Sequence, residues 1–543
     1  MHRDDPTPHV PRGDPAPDDA PAPEGTPGPG AALADDGIVG RDGSAHGTVS
    51  RDELRTATIN GARITLGVRM VAEVAALGAM ILLTRLIPPG EVGSAAVAVT
   101  FQMLSVMLTF EGFGSPLVQR KLLREEHRRT AHTLSVLSGL VLAGLIVLFA
   151  VTAGRALFGD RSAELLMYTA PGYAIAGFGV VSRATVMRRL DFRSQSTFEV
   201  LGTIFQVVVA SALAFSGVDG EALVIGPVVG AAIETFLLMR VARPPRFGFE
   251  RRAFRDIAEF GALTSISGII IALRRNVAYL VLAGLLPARE VGYYFRAFQL
   301  GGEYQGKLSV VMLRLGLPLF ARSPDRATTN RLRSRIVSVN AIATAPFLAL
   351  LAVLAPVLIP LLFGEQWAPA ALPAQILAVA GLGQAIMSGI QPLAIAGGRP
   401  RQALAFNVLM IAAYVGVLVG LADEGLVAIC VGVSAMHLVM VVVSQLYLVK
   451  PQTGAGLREL LAEVGPPALA ATAAFGVGAG AAALGADAIG DVPWLLLGTL
   501  LTFATYFAVL RLVFGGTWRQ LTDTAALVLR RRRPAREPAG GTA

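Results

Sequence analysis

The feature that most constrains this chain is a recurrence of apolar runs. Stretches of about 20 residues with few charges follow one another along nearly its whole length, separated by short polar connections. A helix of that length crosses the hydrocarbon core of a bilayer with every backbone group paired internally. Composition agrees. Of the 543 residues 53% are hydrophobic and only 16% charged, and the mean hydropathy is +0.59; a soluble protein carries about 25% charged residues. The short alternating segments of an outer-membrane barrel are not seen. The fold class is therefore an all-α polytopic membrane protein.

About fourteen transmembrane helices are expected, near residues 62–87, 92–118, 131–154, 162–186, 195–216, 221–241, 257–285, 291–318, 334–363, 370–396, 402–421, 425–449, 461–485 and 493–514. Arginines cluster in the even-numbered loops, as at Arg120, Arg124, Arg128 and Arg129 or Arg188, Arg189 and Arg193, while the odd loops carry acids such as Asp219, Glu221 and Glu365. By the positive-inside rule the even-numbered loops and both termini are expected to be cytoplasmic. The net charge of +9 is scattered among these loops, so no nucleic-acid partner is expected. Residues 1–55, rich in Pro, Asp and Gly, are expected to be a disordered cytoplasmic tail.

Three sequence blocks occur twice in the same order. Leu86–Gly93 (LIPPGEVG) returns as Leu285–Gly292 (LLPAREVG), Gly114–Arg120 (GSPLVQR) as Gly316–Arg322 (GLPLFAR), and Leu157–Gly159 as Leu362–Gly364, both LFG. Six helices, an even number, separate the copies, so the two halves are oriented alike, as in parallel repeats about the membrane normal. The expected domains are a six-helix lobe over 56–250, a second over 251–450, two additional transmembrane helices over 451–516 and a basic cytoplasmic tail over 517–543.

The same blocks resemble a known family. Leu83–Gly93 (LTRLIPPGEVG), Gly114–Ala131 (GSPLVQRKLLREEHRRTA), Arg189–Arg193 (RLDFR), Gly292–Ala297 and Leu362–Leu382 (LFGEQWAPAALPAQILAVAGL) are similar to the motif series of the Wzx-type polysaccharide flippases, in the multidrug/oligosaccharidyl-lipid/polysaccharide exporter superfamily. One departure is Asn276, where the resemblance leads one to expect an Asp in the middle of the seventh helix. The resemblance implies two six-helix lobes in an inverted V around a central cavity, plus the two C-terminal helices. It implies alternating-access export of a lipid-linked (polyprenyl-diphosphate) oligosaccharide for surface polysaccharide biosynthesis. Its partners would be that substrate, membrane lipids and polysaccharide assembly proteins; no enzymatic activity is implied.

Candidate site residues are charges inside apolar runs, because an arginine at the bilayer centre costs about 2.5–3.5 kcal/mol and must face protein or water. Arg69 and Glu73, four apart, either neutralise each other or face the cavity. Arg274 and Arg275 interrupt the seventh helix; adjacent residues diverge by about 100°, so at least one is expected to aim at the cavity. Arg296, Glu303, Lys307 and Arg314 fall at helical same-face intervals in the eighth; the two outer arginines either line the cavity or extend to the interfaces. Glu111, Glu199 and Glu234 are either ion-coupling acids or partners of arginines. Arginine suits a diphosphate because its planar fork bonds two oxygens at once. Tyr293, Tyr294 and Trp367 are expected to anchor at the outer interface, His127 and His132 to be solvated in a loop, and His437 and Cys430 to be packing residues. Without Cys/His ligand spacing, neither a metal nor a cofactor is expected. Two rival functions are a cation-coupled multidrug antiporter of the same superfamily, which should use acids rather than arginines, and a membrane polysaccharide polymerase or ligase, which should carry a long outer loop.

Overall fold

A computed structural model describes residues 73–120, 122–303 and 325–530, together with residues 306, 320 and 323. They all belong to the unit Asn60–Ala543. The expected disordered tail, Arg69, Lys307 and Arg314 lie outside the described residues.

Among the described residues the chain is helical and forms no strand. Eleven helical spans are long and apolar enough to cross a membrane. In chain order the helices are α1 (residues 73–86), α2 (Pro89–Gln119), α3 (Glu125–Phe149), α4 (Arg155–Met167), α5 (Ala170–Arg188), α6 (Phe192–Phe215), α7 (Asp219–Val241), α8 (Arg251–Leu285), α9 (Ala288–Phe298), α10 (Arg326–Phe363), α11 (Ala371–Met387), α12 (Ile390–Ala396), α13 (Pro400–Gly420), α14 (Gly425–Ser444), α15 (Leu457–Ile489), α16 (Asp491–Leu512) and α17 (Gly515–Arg530).

Two differences from the sequence reading have plain causes. The helix expected over 162–186 is divided: α4 ends at Met167, and α5 restarts with Pro171 in its first turn, where a missing N–H costs nothing. The tail after 516 begins as α17, whose Trp518 and Leu521 pack on Ile342, Tyr506 and Leu510. The added pair α15 and α16 lies against α10.

The sequence blocks that carry the family resemblance prove to hold one another. Asp191 of RLDFR caps α6, accepting from the Ser194 amide at 3.0 Å. Arg188, just before it, donates to the carbonyl oxygens of Leu117 and Val118 at the end of α2, and to that of Arg120. Trp367 of the LFGEQW block donates its indole N–H to the Thr84 carbonyl at 2.7 Å, and Gln366 donates to that of Arg85 at 3.2 Å, fixing the end of α1.

The N-termini of α2 and α9, which carry the LIPPGEVG and LLPAREVG copies, pack directly on each other. A Cβ built on Gly93 would overlap the carbonyl oxygen of Ala288, and one on Gly292 that of Pro89. Gly93 and Gly292 occupy the same place in the two copies, as do Pro89 and Ala288, so the contact is reciprocal. Only glycine permits backbones to approach so closely.

Two expectations are corrected by burial. Tyr293, Tyr294 and Trp367 are not interfacial anchors: Tyr294 and Trp367 are fully enclosed, Tyr293 nearly so, and all lie in the largest buried cluster, to which α2 and α6 to α14 contribute. Their apolar bodies fill the core while carbonyls and hydroxyls inside the bundle satisfy their polar tips. His127 and His132 are not solvated loop residues. Both are buried; His127 Nε2 lies 3.2 Å from Asp256 Oδ2, and His132 stacks on Phe247 at 5.0 Å between centroids.

Candidate substrate site

The seventh apolar run of the sequence becomes the Thr264–Leu285 part of α8, 22 residues long. At 1.5 Å per residue it spans about 33 Å, one hydrocarbon core. Arg274 and Arg275 straddle its midpoint. Among the described residues neither forms an ion pair, and the buried Nε of Arg274 makes no hydrogen bond. Arg274 is half-buried and Arg275 exposed.

Around α8 lies a ladder of aromatic and polar side chains. Tyr279 of α8 meets Tyr294 edge-on at 6.4 Å. The Tyr294 hydroxyl lies 2.6 Å from that of Tyr414 on α13, and Tyr414 meets His437 of α14 at 5.8 Å. His437 Nδ1 is 2.8 Å from the Val433 carbonyl. Asn276, in the position where an Asp was expected, is turned back on its own helix, donating to the Ala272 carbonyl at 2.9 Å.

Beside Arg274 the chemistry changes. An apolar pocket of about 320 Å³ is bounded by Phe101, Leu104 and Leu108 of α2, Leu145 of α3, and Ile269 and Leu273 of α8. A cationic surface and a hydrocarbon surface thus meet within one residue of each other.

The other candidates are distributed as follows. Glu111 lies in a π-helical turn of α2, Phe110–Gly114, against Gly268 of α8; Thr264 donates its hydroxyl to the Glu111 carbonyl at 2.8 Å. It is thus about two turns along α8 from the arginine pair. Glu234 partners an arginine: Arg183 of α5 bonds it at 2.8 Å, with Glu199 of α6 close by, away from the α8 pair. Arg296 is buried, donating to Gln299 at 2.8 Å. Glu303 ends the π-helical turn that continues α9, and Glu73 is exposed on α1.

Sequence reasoning missed the arginines that are fully engaged. Arg161 of α4 uses all its N–H groups on carboxylates: Glu91 of α2 at 2.8–3.2 Å, Glu221 of α7 at 2.7 and 2.8 Å, and Glu164 at 2.9 Å. Arg333 of α10 makes a fork-to-fork pair with Glu463 of α15 at 2.6 and 2.9 Å. Glu164 is three residues from Arg161, but the other partners are 60 to 130 residues distant in sequence, so no local spacing reveals them.

A bundle with, among the described residues, eleven helices long and apolar enough to cross a bilayer belongs to the class of polytopic membrane proteins. The family of polysaccharide biosynthesis proteins matches residues 82–372, more than half the chain. The chain therefore belongs to that family, among the Wzx-type polysaccharide flippases of the multidrug/oligosaccharidyl-lipid/polysaccharide exporter superfamily. It is 26% identical over 421 residues to the lipopolysaccharide biosynthesis protein WzxC of Escherichia coli K12, covering 75% of this chain and 84% of that one. It is 26% identical over 293 residues to the succinoglycan biosynthesis transport protein ExoT of Rhizobium meliloti, covering 53% and 58%. Its fold is shared with the lipid II flippase MurJ in an inward closed conformation, at a TM-score of 0.64 and 14% identity, over 81% of this chain and 98% of that one.

Proposed function

We propose that the chain exports a polyprenyl-diphosphate oligosaccharide across the bacterial cytoplasmic membrane by alternating access, with fourteen transmembrane helices arranged as two six-helix lobes and an added pair, both termini cytoplasmic. The flipped unit then passes to the proteins that assemble a surface polysaccharide. The observation that carries this reading is the unpartnered pair Arg274 and Arg275 at the midpoint of α8, next to an apolar pocket.

The chemistry matches in two respects. The diphosphate needs cations that nothing else has neutralised, and guanidinium forks bond its oxygens in pairs. The isoprenoid tail needs a continuous hydrocarbon surface, which the pocket beside Leu273 begins. Half-buried between α8 and its neighbours, Arg274 binds the anion more strongly than it would in water. Membrane potential adds a driving force of about 2.3 kcal/mol per charge per 100 mV for an anion moving outward.

The experiment is deletion of the gene followed by analysis of lipid-linked intermediates. They should accumulate on the cytoplasmic leaflet and clear on complementation with the wild type. Absence of accumulation together with new sensitivity to cationic drugs would transfer the protein to the antiporter reading.

A further inference from the structure

A second charged surface lies far along the chain from the arginine pair of α8. A polar groove of about 560 Å³ runs between the first turns of α10 and α17. Arg331, Ser334 and Arg335 form one wall, Arg519 and Asp523 the other. Three cations face one acid. Among the described residues none of the three arginines forms an ion pair; Arg331 donates only to Thr328 on its own helix, at 3.0 Å. The acid that approaches α10 here, Glu463, is taken by the inward-turned Arg333.

Two features set the depth of this groove. Arg331 and Arg335 occupy the last turn of α10 before its apolar stretch begins at Ile336 and Val337. On the opposite wall, α17 puts Trp518 and Leu521 against the α10–α16 core while Arg519 and Asp523 remain at the groove. A tryptophan on an amphipathic helix beside a basic cluster marks the headgroup level. Leu512 and Val513, which precede α17, and Phe347, about three turns along α10 from Arg335, are exposed apolar side chains on which acyl chains can lie. Arg531–Arg533 and Arg536 follow in the sequence.

We propose that this groove binds the phosphate headgroup of an anionic phospholipid in the leaflet on the arginine-loop side. Its guanidinium groups meet the phosphate and its hydroxyl the glycerol, as basic recesses between membrane helices do. The lipid would join α17 and the added helix pair to α10. A soluble phosphate has no use for these apolar side chains, which is why a lipid is the occupant.

The test uses the full chain purified in a zwitterionic detergent. Retained lipid is measured by native mass spectrometry and thermal unfolding is followed with added phosphatidylglycerol, phosphatidylcholine, or glycerol phosphate. Phosphatidylglycerol should be retained and raise Tm, and the other two should not. The double variant Arg335→Gln/Arg519→Gln should lose retention by roughly tenfold or more, with its lipid-free Tm unchanged. Equal retention of both lipids, equal stabilisation by glycerol phosphate, or unchanged retention in the double variant would overturn the assignment. If the double variant unfolds without lipid, Asp523→Asn decides: removing the one acid should strengthen phosphatidylglycerol retention, and a variant no better than wild type overturns the site.

Discussion

Arg161 and the pair Arg274–Arg275 are the same side chain in opposite circumstances. Arg161 spends every N–H on three carboxylates and ties α2, α4 and α7 together. The α8 pair sits deeper in the apolar span and has no such partner among the described residues. An engaged arginine is a fastener, and its removal strands acids. An unengaged one in hydrocarbon raises the energy of the resting protein unless an external anion completes it. The contrast teaches that intramembrane charge by itself does not mark a site; charge without an internal partner does.

Four measurements can break or sharpen that comparison. The largest effect is expected at Arg333, a fastener that is almost wholly enclosed. Arg333→Ala leaves Glu463 buried and alone, which should cost about 3–5 kcal/mol and lower Tm sharply. Removing both charges with Arg333→Met/Glu463→Leu should restore most of it; failure of that rescue would mean the pair does more than neutralise. Arg161→Gln should cost less, about 1–2 kcal/mol, because its carboxylates are partly solvated. Arg274→Gln and Arg275→Gln should change stability by no more than about 0.5 kcal/mol, or improve it, while glycan export falls steeply. A stability loss as large as that of Arg333→Ala would make them fasteners too. The smallest effect concerns Asp256, whose carboxyl is held below the usual carboxylate range by His127 and by the Arg120 guanidinium. Its contribution is present above the unfolded-state value and disappears as pH falls through the lower folded-state value. The Tm difference between wild type and Asp256→Asn should therefore shrink on acidification through that range. A difference independent of pH would show that the contact is not ionic.

The membrane helices were legible because hydropathy is a local property: 20 apolar residues declare a span wherever their neighbours lie. Arg274 and Arg275 were legible for the same reason, as charges in the middle of such a run. What local pattern cannot carry is which residues meet. Tyr293, Tyr294 and Trp367 have the composition of an interfacial belt, and only the packing of α8, α9 and α13 encloses them. Asp256, which pairs with His127, lies 129 residues away, so the histidine read as part of a basic loop. Glu234 stood open between ion coupling and pairing until α5 brought Arg183 to it. The repeat was visible in the sequence, but nothing in it announced that the matching glycines of the two copies touch.

That glycine contact has a genetic consequence. What each glycine meets is the other strand of backbone, the carbonyl of Ala288 or of Pro89, and no side chain. A methyl group added at Gly93 cannot be offset by trimming a residue opposite, since the opposing group is already as small as a polypeptide permits. Suppressors of Gly93→Ala or Gly292→Ala should therefore never arise by shrinking a neighbour across the seam. They should map to distant positions that let α2 or α9 shift as a whole.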